Sequence, residues 1–205
     1  AAFSYDFCSD ELFDILEQEA PHIIRVLDVS ISNRAFMKTN YEKDMERTGD
    51  DRIKAEQIDL WDEAVIDSVV REIHSADYFL VPSQIVKKSL EFSGADPEKI
   101  KIIPYGVDTS KFEFVRKKTV NKPLHLIYVG QISFRKGLHH LLKVVSQYSP
   151  DQIKLTVAGA YTADSVFVKE YGNKENIEFA GFVTRDVVAK KYQESDAFIF
   201  PTLGE

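Results

Sequence analysis

The sequence predicts an α/β protein built on parallel sheets, and three observations carry that expectation. Short runs of β-branched and aromatic residues alternate with segments whose apolar residues recur at helical spacing, the pattern of a parallel sheet wrapped by helices. The stretch from Leu124 to Val145 shows one such unit in full. Leu124, Leu126, Ile127, Tyr128 and Val129 read as a strand covered on both faces, Gly130 ends it, and Leu138, Leu141, Leu142 and Val145 follow at offsets 0, 3, 4 and 7 on one helix face. Third, 205 residues at 44% hydrophobic and 29% charged suit a globular chain of one medium or two small domains, and no apolar run nears the roughly 18 residues of a membrane span.

Taken in order, Ser9 to Leu16 reads as a capped amphipathic helix that Pro21 closes, followed by a strand over 23–29 with Asp28 near its carboxyl end. Asp28 is a turn-former by default and a cleft-facing carboxylate as the minority reading. From Ser30 to Arg52 the pattern loses its period and gathers charge, so a solvated loop or irregular helix is expected. Ile58 to Ile73 has the spacing of one long helix carrying Trp61, read as core, with His74 near its end. Tyr78 to Val81 is a strand, Ser83 caps the helix after it, Gly94 closes that helix, and Ile100 to Ile103 is a further strand. The second half alternates regularly: strand 124–129, helix 137–148, strand 153–158, helix near 163–171, strand 177–182, helix 185–194 capped by Thr184, and strand 197–200.

Charge and cysteine content narrow the function classes. A net charge of −7 argues against a general nucleic-acid binder. The single cysteine, Cys8, allows no internal disulfide and fits a reducing compartment, and the amino end carries acids where an export signal would carry lysines. The expected location is therefore cytoplasmic. His139 and His140 are adjacent, so on a helix they point about 100° apart and do not make a metal pair as i, i+4 residues would. No metal site is expected. An oxidoreductase that binds a dinucleotide is disfavoured, because no G-x-G-x-x-G follows any strand.

The glycine turn after strand 124–129 aims a helix N-terminus and Lys136 at whatever lies beyond the strand's carboxyl end, a combination suited to a diphosphate. VGQISFRKG at this place resembles the start of the nucleotide-sugar domain in retaining GT-B glycosyltransferases, the large group 1 family. Gly130, Lys136 and Gly137 match the family pattern, while Gln131 occupies an arginine position. Further matches follow the family order: ADYFLVPSQIVKKSL, KIKIIPYGVDTSKF with Tyr105 where asparagine is usual, LTVAGA, IEFAGFV and SDAFIFPTLGE.

The resemblance implies a GT-B fold of two Rossmann-like domains, both incomplete in this chain. Residues 1–109 would be the later part of the acceptor-side domain, 110–122 a linker with the basic cluster Arg116, Lys117, Lys118 and Lys122, and 123–205 the truncated nucleotide-sugar domain. It further implies metal-independent transfer of a sugar from a UDP- or GDP-linked donor to a sugar, glycan or lipid-linked acceptor, with retention of configuration. Lys136 and Glu205 would act in catalysis. Gly130, Gln131, Lys136, Gly137, Phe182 and Val183 would hold the donor, the last two reading the base. A second family glutamate would fall past Glu205, so the isolated chain is expected to be inactive. Peripheral membrane contact through the basic cluster and self-association through an open sheet edge are subsidiary expectations. The alternative is a nucleotide- or sugar-binding module without turnover, to which Gln131 points because it hydrogen-bonds but brings no charge.

Overall fold

Eight strands form in the computed structural model, which describes residues 1–112 and 123–204, and they make two four-stranded sheets in which every pairing is parallel. The chain divides into two units, one of Ala1–Gly106 joined by Leu203 and Gly204, the other of Val107–Thr202. Most of the linker from 110 to 122, its basic cluster and Glu205 lie outside the described residues.

In the first unit the strands β1 (Ala2–Tyr5), β2 (Arg25–Asp28), β3 (Tyr78–Val81) and β4 (Ile100–Ile102) lie side by side in chain order. The helices are α1 (Asp10–Glu19), α2 (Arg34–Thr48), the single turn α3 (Ile53–Glu56), α4 (Glu63–Ser75) and α5 (Gln84–Phe92). Phe13, Leu27, Val69, Ile73, Phe79, Val81, Leu90 and Ile100 form one buried cluster, joining sheet to helices as the apolar periods require.

Three expectations change here. The segment after Ser30 is a regular helix, α2, begun by Asn33, whose Oδ1 accepts the Ala35 N–H at 2.9 Å, and ended by Gly49 at φ 69°. Only Met37, Tyr41 and Asp44 are buried along it, a stripe too narrow to print a clear period on a charged segment. The long helix expected from Ile58 begins instead at Glu63, because the Asp62 carboxylate accepts the Ala64 N–H at 2.9 Å and caps it there. Trp61 therefore sits on a preceding 3₁₀ turn, with the ammonium groups of Lys38 and Lys54 each 5.5 Å from its ring. The strand β1 went unread, since an edge strand with Phe3 and Tyr5 outward lacks a buried apolar run.

The second unit orders its strands β7-β6-β5-β8, with β5 (Leu124–Val129), β6 (Ile153–Ala158), β7 (Ile177–Gly181) and β8 (Ala197–Phe198). Helix α6 (Leu138–Val145) buries Leu138, Leu141, Leu142 and Val145, the face read from the sequence. Its last turn is tied down by Asn176, whose Nδ2 donates to the carbonyls of Val145 and Tyr148 at 2.9 and 3.0 Å. The remaining helices are α7 (Val166–Tyr171) and α8 (Arg185–Glu194). Thr184 stands at the start of α8, but its side chain makes no capping bond, contrary to expectation.

Candidate functional site at the carboxyl edge of the second sheet

From β5 the chain steps outward to β6 and β7, then crosses back to place β8 on the other side of β5. Such a reversal opens a crevice at the carboxyl ends of the two strands flanking it, because their following loops leave in opposite directions. Here the reversal falls between β5 and β8.

The loop from β5 into α6 reaches across to β8. Gly137 begins the helix at φ 67°, and a Cβ on it would lie 1.9 Å from the Pro201 carbonyl oxygen, so only glycine fits. Lys136 Nζ lies 5.5 Å from the centre of the Phe200 ring, just past β8. On the other flank, a Cβ on Gly159 at the end of β6 would lie 2.0 Å from the Gly130 carbonyl oxygen. Backbone thus packs on backbone along this edge.

Inside the loop, Lys136 N–H donates to Ser133 Oγ at 3.3 Å and Gly137 N–H to the Phe134 carbonyl at 2.8 Å. The turn is thus held by its own bonds before the helix begins at Leu138. The fully buried Tyr128 hydroxyl donates to the Gln131 carbonyl at 2.5 Å, and the Gln131 Oε1 accepts from Arg135 Nη2 at 3.3 Å. His139 and His140 also depart from expectation. Their rings lie 3.8 Å apart, since the side-chain torsions fold together what the Cα directions separate.

Gly130, Gln131, Lys136 and Gly137 are therefore brought together, with Phe200 and Pro201 as neighbours that sequence reasoning missed. Phe182 and Val183 sit past the end of β7, two strands from β5, roughly 10 Å away at ordinary strand spacing. Phe182 is 78% exposed, a large apolar ring left open at that edge. Tyr161, past the end of β6, packs edge-on to Phe179 of β7 with ring centres 5.8 Å apart. Tyr128 read only as a strand former, although a buried tyrosine needs a partner for its hydroxyl, and that requirement was the available signal. Nothing in the spacing marked Arg135.

The first unit gathers carboxylates at the corresponding edge of its own sheet. Asp6, just past β1, has its pKa raised to about 6, chiefly by burial and further by the Glu72 and Asp28 charges, against a hydrogen bond from the Ser30 backbone. Glu72, 1% exposed, accepts the N–H groups of Phe7, Ser9 and Asp10 at 2.9, 2.6 and 3.3 Å. A cavity of about 10 Å³ beside Asp6, Asn33 and Glu72 holds no more than a water. Asp28, the minority candidate, belongs to this cluster through its charge on Asp6.

Two parallel α/β sheets in one chain, the second with a switch-point crevice, place the protein in the architecture of GT-B glycosyltransferases. Residues 110–205 match the family model described as glycosyl transferases group 1. WcaL of Salmonella typhimurium, whose name assigns it to colanic acid biosynthesis as a glycosyltransferase, is 25% identical over 132 residues, 62% of this chain and 32% of its own length. The uncharacterized glycosyltransferase MJ1607 of Methanocaldococcus jannaschii is 25% identical over 125 residues, 53% of this chain and 32% of its own length. The match thus spans about a third of these curated relatives. Among solved structures, Anabaena Alr3699/HepE in complex with UDP gives a TM-score of 0.58 at 17% identity, over 98% of this chain and 53% of that one. The apo form of the lipopolysaccharide outer core galactosyltransferase WaaB gives 0.53 at 16% identity, over 98% and 73%. At these identities the structural likeness speaks to fold.

Proposed function

We propose that this chain binds a nucleoside diphosphate sugar at the crevice between β5 and β8 and serves transfer of the sugar to an acceptor with retention of configuration, without a metal. The observation that supports this most is the meeting of Lys136 and Gly137 with Phe200 and Pro201 at the switch point of a sheet whose segment matches the group 1 family. When the anomeric C–O bond breaks, negative charge develops on the departing diphosphate. A cation already positioned there lowers the barrier more than one that must reorganise. Lys136 is that cation in this reading, and Glu205 is the group facing the transferred sugar. In this reading the exposed ring of Phe182 is the apolar surface offered to the base.

The HepE structures with UDP and with UDP-glucose make a uridine nucleotide the first to test. Thermal melting of the chain with UDP, GDP and ADP, each against its nucleoside, is the direct experiment. A rise with at least one diphosphate and none with the nucleosides supports the reading; no rise with any diphosphate at millimolar concentration contradicts it. A second reading, binding without turnover, is favoured by Gln131, which contributes no charge where two cations would serve better. Turnover of the bound donor would separate the two.

A further inference from the structure

We infer that the first unit holds one long-lived water molecule between the turn after β1 and the start of α2, bridging the side chains of Asp6, Asn33 and Glu72. All three line one cavity of about 10 Å³, space for a single oxygen and its hydrogens. Among the described residues neither Asp6 Oδ2 nor Asn33 Nδ2, both buried, has a hydrogen-bond partner. Buried polar atoms are costly to leave so, and two of them on the wall of one water-sized cavity call for a shared ligand.

The chemistry of the three groups selects that ligand. Asn33 is 2% exposed, and its Oδ1 is committed twice, to the Ala35 N–H at 2.9 Å and to the Ser93 hydroxyl at 3.0 Å. The amide is thereby oriented with Nδ2 left to donate, and a donor disfavours a cation. The carboxylates of Asp6 and Glu72 disfavour an anion. A neutral group that accepts one hydrogen bond and donates two satisfies all three, and at this volume that group is water. Glu72 has the capacity to take part: its Oε2 accepts the Phe7 N–H at 2.9 Å, and a carboxylate oxygen accepts a second bond as well. Three bonds to protein are the usual complement of a buried water. Donating to both carboxylates, the water turns a hydrogen toward each of two like charges, and so eases the repulsion that Glu72 exerts on Asp6. It also links the end of β1 to the cap of α2 and to α4. This site is independent of donor binding.

The test is a high-resolution crystal structure of the whole chain, grown and cooled without polyols, paired with oxygen-17 relaxation dispersion in solution. The dispersion counts long-lived waters and does not respond to exchanging protein protons. The crystal is expected to show one peak at about 2.6–3.2 Å from both Asp6 Oδ2 and Asn33 Nδ2. Asp6→Leu, which removes the acceptor and fills its space, should lower the solution count by about one water. A cavity without density, or a direct bond between Asp6 and Asn33, overturns the inference. So does a peak with several oxygen ligands at about 2.3–2.6 Å, the distance of a bound cation. A count that Asp6→Leu leaves unchanged overturns it too, and should that variant fail to fold, the crystal of the native chain decides alone.

Discussion

Lys136 in the second unit and Asp6 in the first are the side chains whose removal is most informative. In the proposed site, removing the Lys136 ammonium deletes a charge-assisted contact, and Lys136→Ala should weaken nucleoside diphosphate binding by about 1.5–3 kcal/mol, read as a tenfold or greater rise in Kd. Unchanged affinity would take Lys136 out of the site. Asp6 is predicted to show itself in pH dependence. Its folded pKa is raised from 3.8 to about 6, so its contribution to stability is fully present below pH 3.8 and is lost as pH rises through about 6. At pH 8 the ionised carboxylate then costs on the order of 1–2 kcal/mol, after allowance for its partial exposure. Asp6→Asn should raise the melting temperature at pH 8, leave it nearly unchanged at pH 4, and flatten the curve between. A variant that keeps the native slope from pH 4 to 8 would assign that slope to other groups. Neither the Asp6 shift nor the Arg135 bond was legible in the sequence. Both arise from contacts across the fold or a loop whose path no local pattern encodes.

At the scale of elements, legibility followed burial. Strand β5 and helix α6 were read correctly because each buries a full apolar face: Leu126, Ile127 and Tyr128 in the strand, and four aliphatic residues in the helix. Where burial is narrow the reading failed, as in α2 with its stripe of Met37, Tyr41 and Asp44, though Asn33 and Gly49 marked both ends. Where a polar side chain overrides periodicity it also failed. Asp62 starts α4 at Glu63, inside an apolar pattern that begins at Ile58, and at the start of α1 Glu72 accepts the N–H groups of Ser9 and Asp10 while the Ser9 side chain makes no capping bond. The Ser9 hydroxyl instead donates to the Tyr5 carbonyl at 2.6 Å. Two substitutions test these elements. Gly137→Ala puts a Cβ against the Pro201 carbonyl at a left-handed φ of 67°, so it should lower stability by about 2 kcal/mol or more and weaken diphosphate binding with it. A melting temperature within one degree of native would show that the loop after β8 yields easily. Glu72→Ala leaves three N–H groups of the β1–α1 turn without their carboxylate, and a loss of about 3 kcal/mol is expected in denaturant titration.

Across the whole molecule, opposing titrations bound the stable range. Asp10 and Asp77 have lowered pKa values, through hydrogen bonds from Arg71 and Arg25 respectively, so their contributions are present above about pH 3.8 and are lost on acidification below it. Asp6 acts in the other direction above about pH 6, which places the stability maximum between about pH 4 and 6 as far as these groups decide it. The fold class and the alternation of elements followed from periodicity, and the family resemblance covered the stretch that the group 1 model matches. Among the described residues no helix is long and apolar enough to cross a membrane. The central claim is that the carboxyl edge of the second sheet, between β5 and β8, is where a nucleoside diphosphate binds. Amide chemical shifts of the isotopically labelled chain, followed while UDP and then GDP are added, test it most directly. The account predicts saturable shifts in Gly130 to Gly137, in Phe200 and Thr202, and in Gly181 to Val183. Shifts confined to the first unit or to the amino ends of β5, β6 and β7, with the 130–137 loop unmoved, would contradict it.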